Sequence, residues 1–142
     1  MVRKEMSEVD EYFKDEYKRE TSFALAPMYI WCLRKLSMKI YAEDEGYIAT
    51  TLRRVIVTEG INIKKGEKID YKLWLDSGKI EGKNIIMLKV NEKIEKLLKE
   101  VTMAYFMSRS HFVRYAVLKT FYKYFPPEEI WKAKVVGLGR LF

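Results

Sequence analysis

The chain has 142 residues, with 27 Lys/Arg against 20 Asp/Glu, a formal net charge of +7 and a pI near 9.3. Its 49% hydrophobic content suffices for the core of one compact domain or two very small ones and excludes a disordered low-complexity chain; the basic balance favours an anionic partner. A single cysteine, Cys32, excludes an intrachain disulfide and a thiolate zinc cluster, and a single histidine, His111, excludes a His-rich metal site.

Met1–Glu20 reads as a charged helix, with Val9, Tyr12, Phe13 and Tyr17 on one face and Glu and Lys around them. It packs against the body or a second subunit, or serves as an arm for another protein. The N-terminus is charged and lacks the apolar core of a signal peptide. The longest apolar run, Ser22–Leu33, is short of a membrane span and is followed at once by Arg34 and Lys35. These features predict an intracellular, cytoplasmic protein with no membrane partner (the host cytoplasm, if the chain is viral). Richness in Lys, Ile and Tyr with scarce Cys is of the kind found in thermophilic archaea and their viruses.

Thr21–Gly60 opens with a short strand at Ser22–Ala26. Pro27 suits the first turn of a helix, and Met28, Ile30, Trp31, Leu33, Leu36, Met38 and Ile40 give that helix a broad apolar surface. Glu43, Asp44, Glu45 and Gly46 end it, with Gly46 as a left-handed cap. The acidic cluster reads as a solvated helix end rather than a magnesium site. Ala49–Val57 starts a second helix that stops at Glu59 and Gly60. Ile61–Gly82 reads as strand and turn. Ile61 and Ile63 alternate, Lys65 and Gly66 turn, and Ile69, Tyr71, Leu73 and Leu75 alternate again, which predicts a β-hairpin or short sheet. Trp74, on the face opposite Leu73 and Leu75, reads as a packing residue.

The most informative stretch is Asn84–Phe125. Ile85–Val90 has the pattern of a strand, and Asn91 that of a helix cap. Ile94, Leu97, Leu98, Val101 and Tyr105 recur at helical spacing until the pattern breaks near Phe106 and Met107. Ser108 is a second cap, and Phe112, Val113, Ala116, Val117, Phe121 and Tyr124 mark a second amphipathic helix. Pro126 and Pro127 halt it. Glu128–Val136 reads as one more short helix with Ile130 and Trp131 packed inward, and Val135–Phe142 as an apolar tail that covers the core or joins molecules together. Strand, helix, turn, helix in about forty residues is too little to bury a core alone, so the unit needs a partner.

This stretch resembles the ribbon-helix-helix family of DNA-binding proteins. The resemblance rests on the strand Ile85–Val90, the cap Asn91-Glu92 and the segment Ser108–Val117, which looks like the family's Ser-x-Ser-x-apolar-apolar-Arg-x-Ala-apolar signature. It covers roughly a third of the chain. It implies a fold that is mainly α with short β: a ribbon-helix-helix unit in an intertwined dimer, whose antiparallel ribbon enters the major groove, a space about 12 Å wide. The N-terminal helical extension is then either a degenerate second copy, whose strand pairs with the first within one chain, or an unrelated helical hairpin. The boundaries that follow are 1–82 for the extension, 83–125 for the DNA-binding unit and 126–142 for the tail.

By strand alternation Ile86, Leu88 and Val90 face the helices, and Ile85, Met87 and Lys89 face the bases, with Asn84 at the strand's edge. The resemblance implies a phosphate site at the start of the second helix, at Ser108, Arg109, Ser110 and His111, and Arg53 and Arg54 offer further phosphate contacts. Two features depart from the family's pattern. Ile85 and Met87 are apolar where the groove-facing set is usually polar, and Phe106 occupies a turn position where many members carry glycine. The basic excess matches the unit: 83–125 holds nine Lys/Arg against three acids, whereas 1–20 holds five against seven. A solvated basic face is the alternative reading of that charge.

The function expected is a DNA-binding transcriptional regulator, a repressor or activator, acting as a homodimer or higher homo-oligomer on double-stranded DNA. The alternatives are a low-specificity packaging protein and an antitoxin-like protein-interaction module. No phosphate loop or nucleophile elbow is present, so no catalytic residue, cofactor, metal or small-molecule substrate is expected.

Overall fold

The computed structural model describes residues 8–41, 48–78 and 84–131. The strand expected at Ile85–Val90 is β2, Asn84–Val90, and its partner lies in the same chain. That partner is β1, Arg19–Leu25, antiparallel to β2, with Arg19 opposite Val90, Ser22 opposite Met87 and Leu25 opposite Asn84. The ribbon therefore forms within one chain, as in the alternative that the strand of Thr21–Gly60 pairs with that of the later unit, and not between the two chains of an intertwined dimer. β1 starts three residues before the expected Ser22, because Thr21 extends the buried alternation of Phe23 and Leu25. On β2, Leu88 and Val90 are buried and Ile86 is half-buried. Each of the large aliphatic and aromatic side chains buried here contributes roughly 1.5–3 kcal/mol.

Each strand runs straight into two helices. β1 leads to α1, Pro27–Tyr41, and α2, Ile48–Lys64. β2 leads to α4, Glu92–Ala104, and α5, Arg109–Tyr124, and between the two halves lies α3, Tyr71–Gly78. Among the described residues the fold is thus mainly helical with one small two-stranded sheet, as expected. The expected caps are present. Asn91 accepts a hydrogen bond from the Ile94 amide at 2.9 Å, and Ser108 accepts one from the His111 amide at 3.0 Å. α5 stops at Phe125, before Pro126.

The halves interleave. α1 packs on α5, α2 packs on α4, and α2 and α5 pack on each other. One continuous core results, running from Phe23 and Leu25 through Leu52 and Ile56 to Leu97, Phe112 and Phe121.

Several sequence expectations are corrected. The N-terminal helix does not reach Glu20. Residues 8–10 are helical, a single 3-10 turn follows at Glu11–Phe13, and β1 begins at Arg19. Asn91 fixes this segment, its amide donating to the carbonyls of Tyr12 at 2.6 Å and Asp15 at 3.2 Å. Val9, Tyr12, Phe13 and Tyr17 do pack on the core. The second helix does not stop at Gly60 but runs to Lys64, because Gly60 serves a close helix crossing rather than a terminus. The buried Glu59 carboxylate beside it pairs with Lys123 at 2.7 Å and Lys119 at 3.3 Å.

The predicted hairpin over Ile61–Gly82 is absent from the described residues. Ile61–Lys64 is the last turn of α2, and Tyr71–Gly78 is helix. Asp70 starts that helix, its carboxylate accepting from the amides of Lys72 and Leu73 at 3.1 and 3.3 Å. Tyr105 and Tyr124, assigned to buried faces, are exposed, and Trp131 is exposed rather than packed inward. The caps expected at Glu43–Gly46, the turn at Glu81–Gly82 and the tail at Val135–Phe142 lie outside the described residues.

Phe106, between α4 and α5, has φ +52° and is 95% exposed. A left-handed residue with a side chain carries a strain of about 1–2 kcal/mol that glycine avoids. No packing is lost on removing the ring. Phe106→Gly is therefore expected to stabilise the protein by about 1 kcal/mol, and a thermal melt that moves down instead of up would contradict it.

Candidate nucleic-acid interface

The ribbon turns one face to the helices and, among the described residues, leaves the other uncovered. Ile85, Met87 and Lys89 lie on the uncovered face of β2, with Ile85 60% and Met87 58% exposed. Opposite them on β1 stand Ala24, Ser22 and Glu20 respectively. These three were missed by sequence reasoning, although the alternation of Thr21, Phe23 and Leu25 carries the signal. Asn84 is half-buried and shares the inward parity of Ile86 and Leu88, so it does not belong to this face.

The outer edges of the ribbon are closed by side chains of the second helices. On β1, the Ser110 hydroxyl accepts from the Ala24 amide at 2.9 Å, and Arg114 donates through Nη1 to the Ala24 carbonyl at 2.8 Å. On β2, Arg53 donates through Nε to the Lys89 carbonyl at 2.8 Å. Ala24 and Lys89 occupy the same place in their strands, and each arginine comes from the half that does not own the strand it holds. Arg53 and Arg114 are thus equivalent, which relates the two halves by an approximate twofold axis through the middle of the ribbon.

The residues proposed for phosphate contact are mostly engaged within the fold. Ser108 caps α5, and Arg109 donates to the Thr21 hydroxyl at 3.2 Å. His111 joins its Nε2 to the Trp74 carbonyl at 2.7 Å and packs its ring on Trp74, centroids 4.9 Å apart. Carbonyl oxygens only accept, so Nε2 carries the proton. Trp74 is accordingly a packing residue, as expected. The Arg53 guanidinium lies 4.0 Å over the Tyr17 ring, which leaves its Nη groups to other partners, and Arg54 is half-buried beside it on α2. Arg109 and Arg53 stand at opposite edges of the ribbon, beside Thr21 on β1 and Lys89 on β2.

Arg114 is 2% exposed and also donates to the Ser77 carbonyl at 2.6 Å, which ties α3 to α5. Burial lowers its pKa from the ordinary arginine value, Tyr29 works against that shift, and the guanidinium stays charged at neutral pH. Cys32 is buried in the core, and burial pushes its thiol up to about 12. Among the described residues no three His, Cys, Asp or Glu side chains gather into a metal site, and no helix is long and apolar enough to cross a membrane. No protein family model, no curated protein and no solved structure matches the chain.

Proposed function

We propose that this protein is a double-stranded-DNA-binding regulator that lays its two-stranded ribbon in the major groove. We take the chain to be two ribbon-helix-helix copies in tandem, the first a divergent form of the second. The observation that carries the reading is the uncovered ribbon face, closed at both edges and standing between the starts of α2 and α5. A two-stranded ribbon fits the major groove, and an arginine at each edge suits phosphates on either side. The net charge of +7 supplies the general attraction.

Two substitutions test the division of labour. Lys89→Ala is expected to relax preference at one base pair, with loss of about tenfold on the preferred duplex and little change on random DNA. Arg109→Ala is expected to weaken all duplexes about equally and to lower the salt dependence by roughly one phosphate contact. Competition binding at several salt concentrations reads both. Equal losses on preferred and random DNA from both variants would overturn specific recognition.

The exposed Ile85 and Met87 favour a second reading, a low-specificity structural binder, since neither side chain forms hydrogen bonds with base edges. That reading predicts steep salt dependence with a specificity ratio near one.

A further inference from the structure

The uncovered ribbon face is polar at one end and apolar at the other. Glu20 stands directly opposite Lys89, Ser22 opposite Met87, and Ala24 opposite Ile85. The approximate twofold exchanges Glu20 with Ile85, Ser22 with Met87, and Ala24 with Lys89. In a ribbon made from two identical chains, such exchanged positions carry the same side chain, and the DNA site is correspondingly palindromic. Here every exchanged pair differs in chemistry. The partner strand is already inside the chain, and the ribbon edges at Ala24 and Lys89 are taken by Ser110, Arg114 and Arg53. The two flanks differ as well, since α3 packs on α5 through Trp74 and Ser77.

We propose, resting on the DNA-binding reading above, that one chain occupies one duplex site that lacks palindromic symmetry, with a G·C pair under the Glu20/Lys89 end and thymine methyls under the Ala24/Ile85 end. A lysine ammonium donates to the O6 and N7 acceptors of guanine, and a glutamate accepts from the N4 amino group of cytosine. Glu20 and Lys89 face each other across the ribbon, so the two demands fall at the same end. Among the described residues no ion pair engages either side chain. Ala24 and Ile85 offer only apolar contact, which in the major groove selects the thymine methyl. Ser22 and Met87, at the middle, accept a range of bases. Arg109 and Arg53 hold the backbone on either side without choosing sequence.

The experiment is selection of bound fragments from random duplex DNA with the full chain, followed by the stoichiometry of the complex on the enriched site. The expected result is a site without self-complementarity, bound by one chain. On that site, Lys89→Ala levels the preference at the G·C end alone, with a loss of about tenfold. Replacing thymine by uracil at the opposite end lowers affinity several-fold and leaves the Lys89 effect intact. Lys89 is exposed, so its removal leaves the fold unchanged, which a thermal melt checks. A palindromic enriched site, or two chains per site, would overturn the asymmetry while leaving DNA binding in place. Binding without enrichment would also overturn it, in favour of a low-specificity binder. No binding to any duplex would overturn both the asymmetry and the proposed function.

Discussion

Arg114→Met is expected to lower the stability of the folded protein by about 3 kcal/mol, the sum of two charge-assisted hydrogen bonds less the desolvation that burying a guanidinium requires. Arg114 is buried against the Ala24 and Ser77 carbonyls, and no carboxylate shares the site among its hydrogen-bond and ion-pair partners. Methionine keeps the unbranched apolar stem of the side chain but leaves both carbonyl acceptors without their donor. For a chain of this size the thermal midpoint should fall by on the order of 10 °C. Arg114→Lys should lose less, because an ammonium keeps one of the two bonds but cannot span both carbonyls. The equivalent Arg53 provides an internal control. It makes the same kind of bond to the Lys89 carbonyl, but it is half-buried and stacked on Tyr17, so water can replace what Arg53→Met removes. Its loss should stay below about 1.5 kcal/mol. Equal losses at the two arginines in urea unfolding would show that burial of the carbonyls does not set the effect.

The asymmetry between these arginines explains which parts of the fold could be read from sequence. Caps depend on a side chain and an amide three residues away, so Asn91 and Ser108 were legible. The outward set Ile85, Met87 and Lys89 was legible because strand alternation is a local rule. The role of Ser110 was not, because its partner amide belongs to Ala24 on the other half's strand. His111 was read as a phosphate neighbour for the same reason: the Trp74 carbonyl that holds it sits on a helix that the sequence disguised as a strand. The alternation of Ile69, Tyr71, Leu73 and Leu75 gave that false signal. In the helix, Leu73 and Trp74 pack on the core while Tyr71 and Leu75 are exposed, and only Asp70 as a cap distinguishes the two readings. The likeness of the two halves is faint in the sequence because the first lacks the polar cap and serine of the second. Ala26 stands where Asn91 does, and Ala49 where Ser110 does. What the two halves do share is an arginine that crosses to the opposite strand.

The crossing of α2 over α4 should be the most sensitive point in the helical layer. A Cβ placed on Gly60 would lie 2.9 Å from Leu97 Cδ2 and 3.0 Å from its Cγ, inside the contact range of real side chains. Leu97 is itself buried and cannot swing into solvent. Gly60→Val is expected to destabilise the protein by about 3 kcal/mol, since the crowding outweighs the gain in helix propensity over glycine. Leu97→Ala alone should lose a similar amount, about 3 kcal/mol, through the cavity it leaves. Together the two changes should lose at least about 1 kcal/mol less than the sum, because the valine enters the space the leucine vacates. The other half of the molecule carries the reverse order of sizes. At the equivalent positions Cys32 replaces Leu97 and Phe121 replaces Gly60, a small residue on the first helix with a large one on the second. Phe121 is buried there, with its ring 6.0 Å from Trp31 and 4.7 Å from Phe125. Strictly additive losses in the double variant would mean that Gly60 is retained for a reason other than the approach of Leu97. A coupling of the expected sign would mean that the two helix crossings hold similar volume by opposite assignments of large and small.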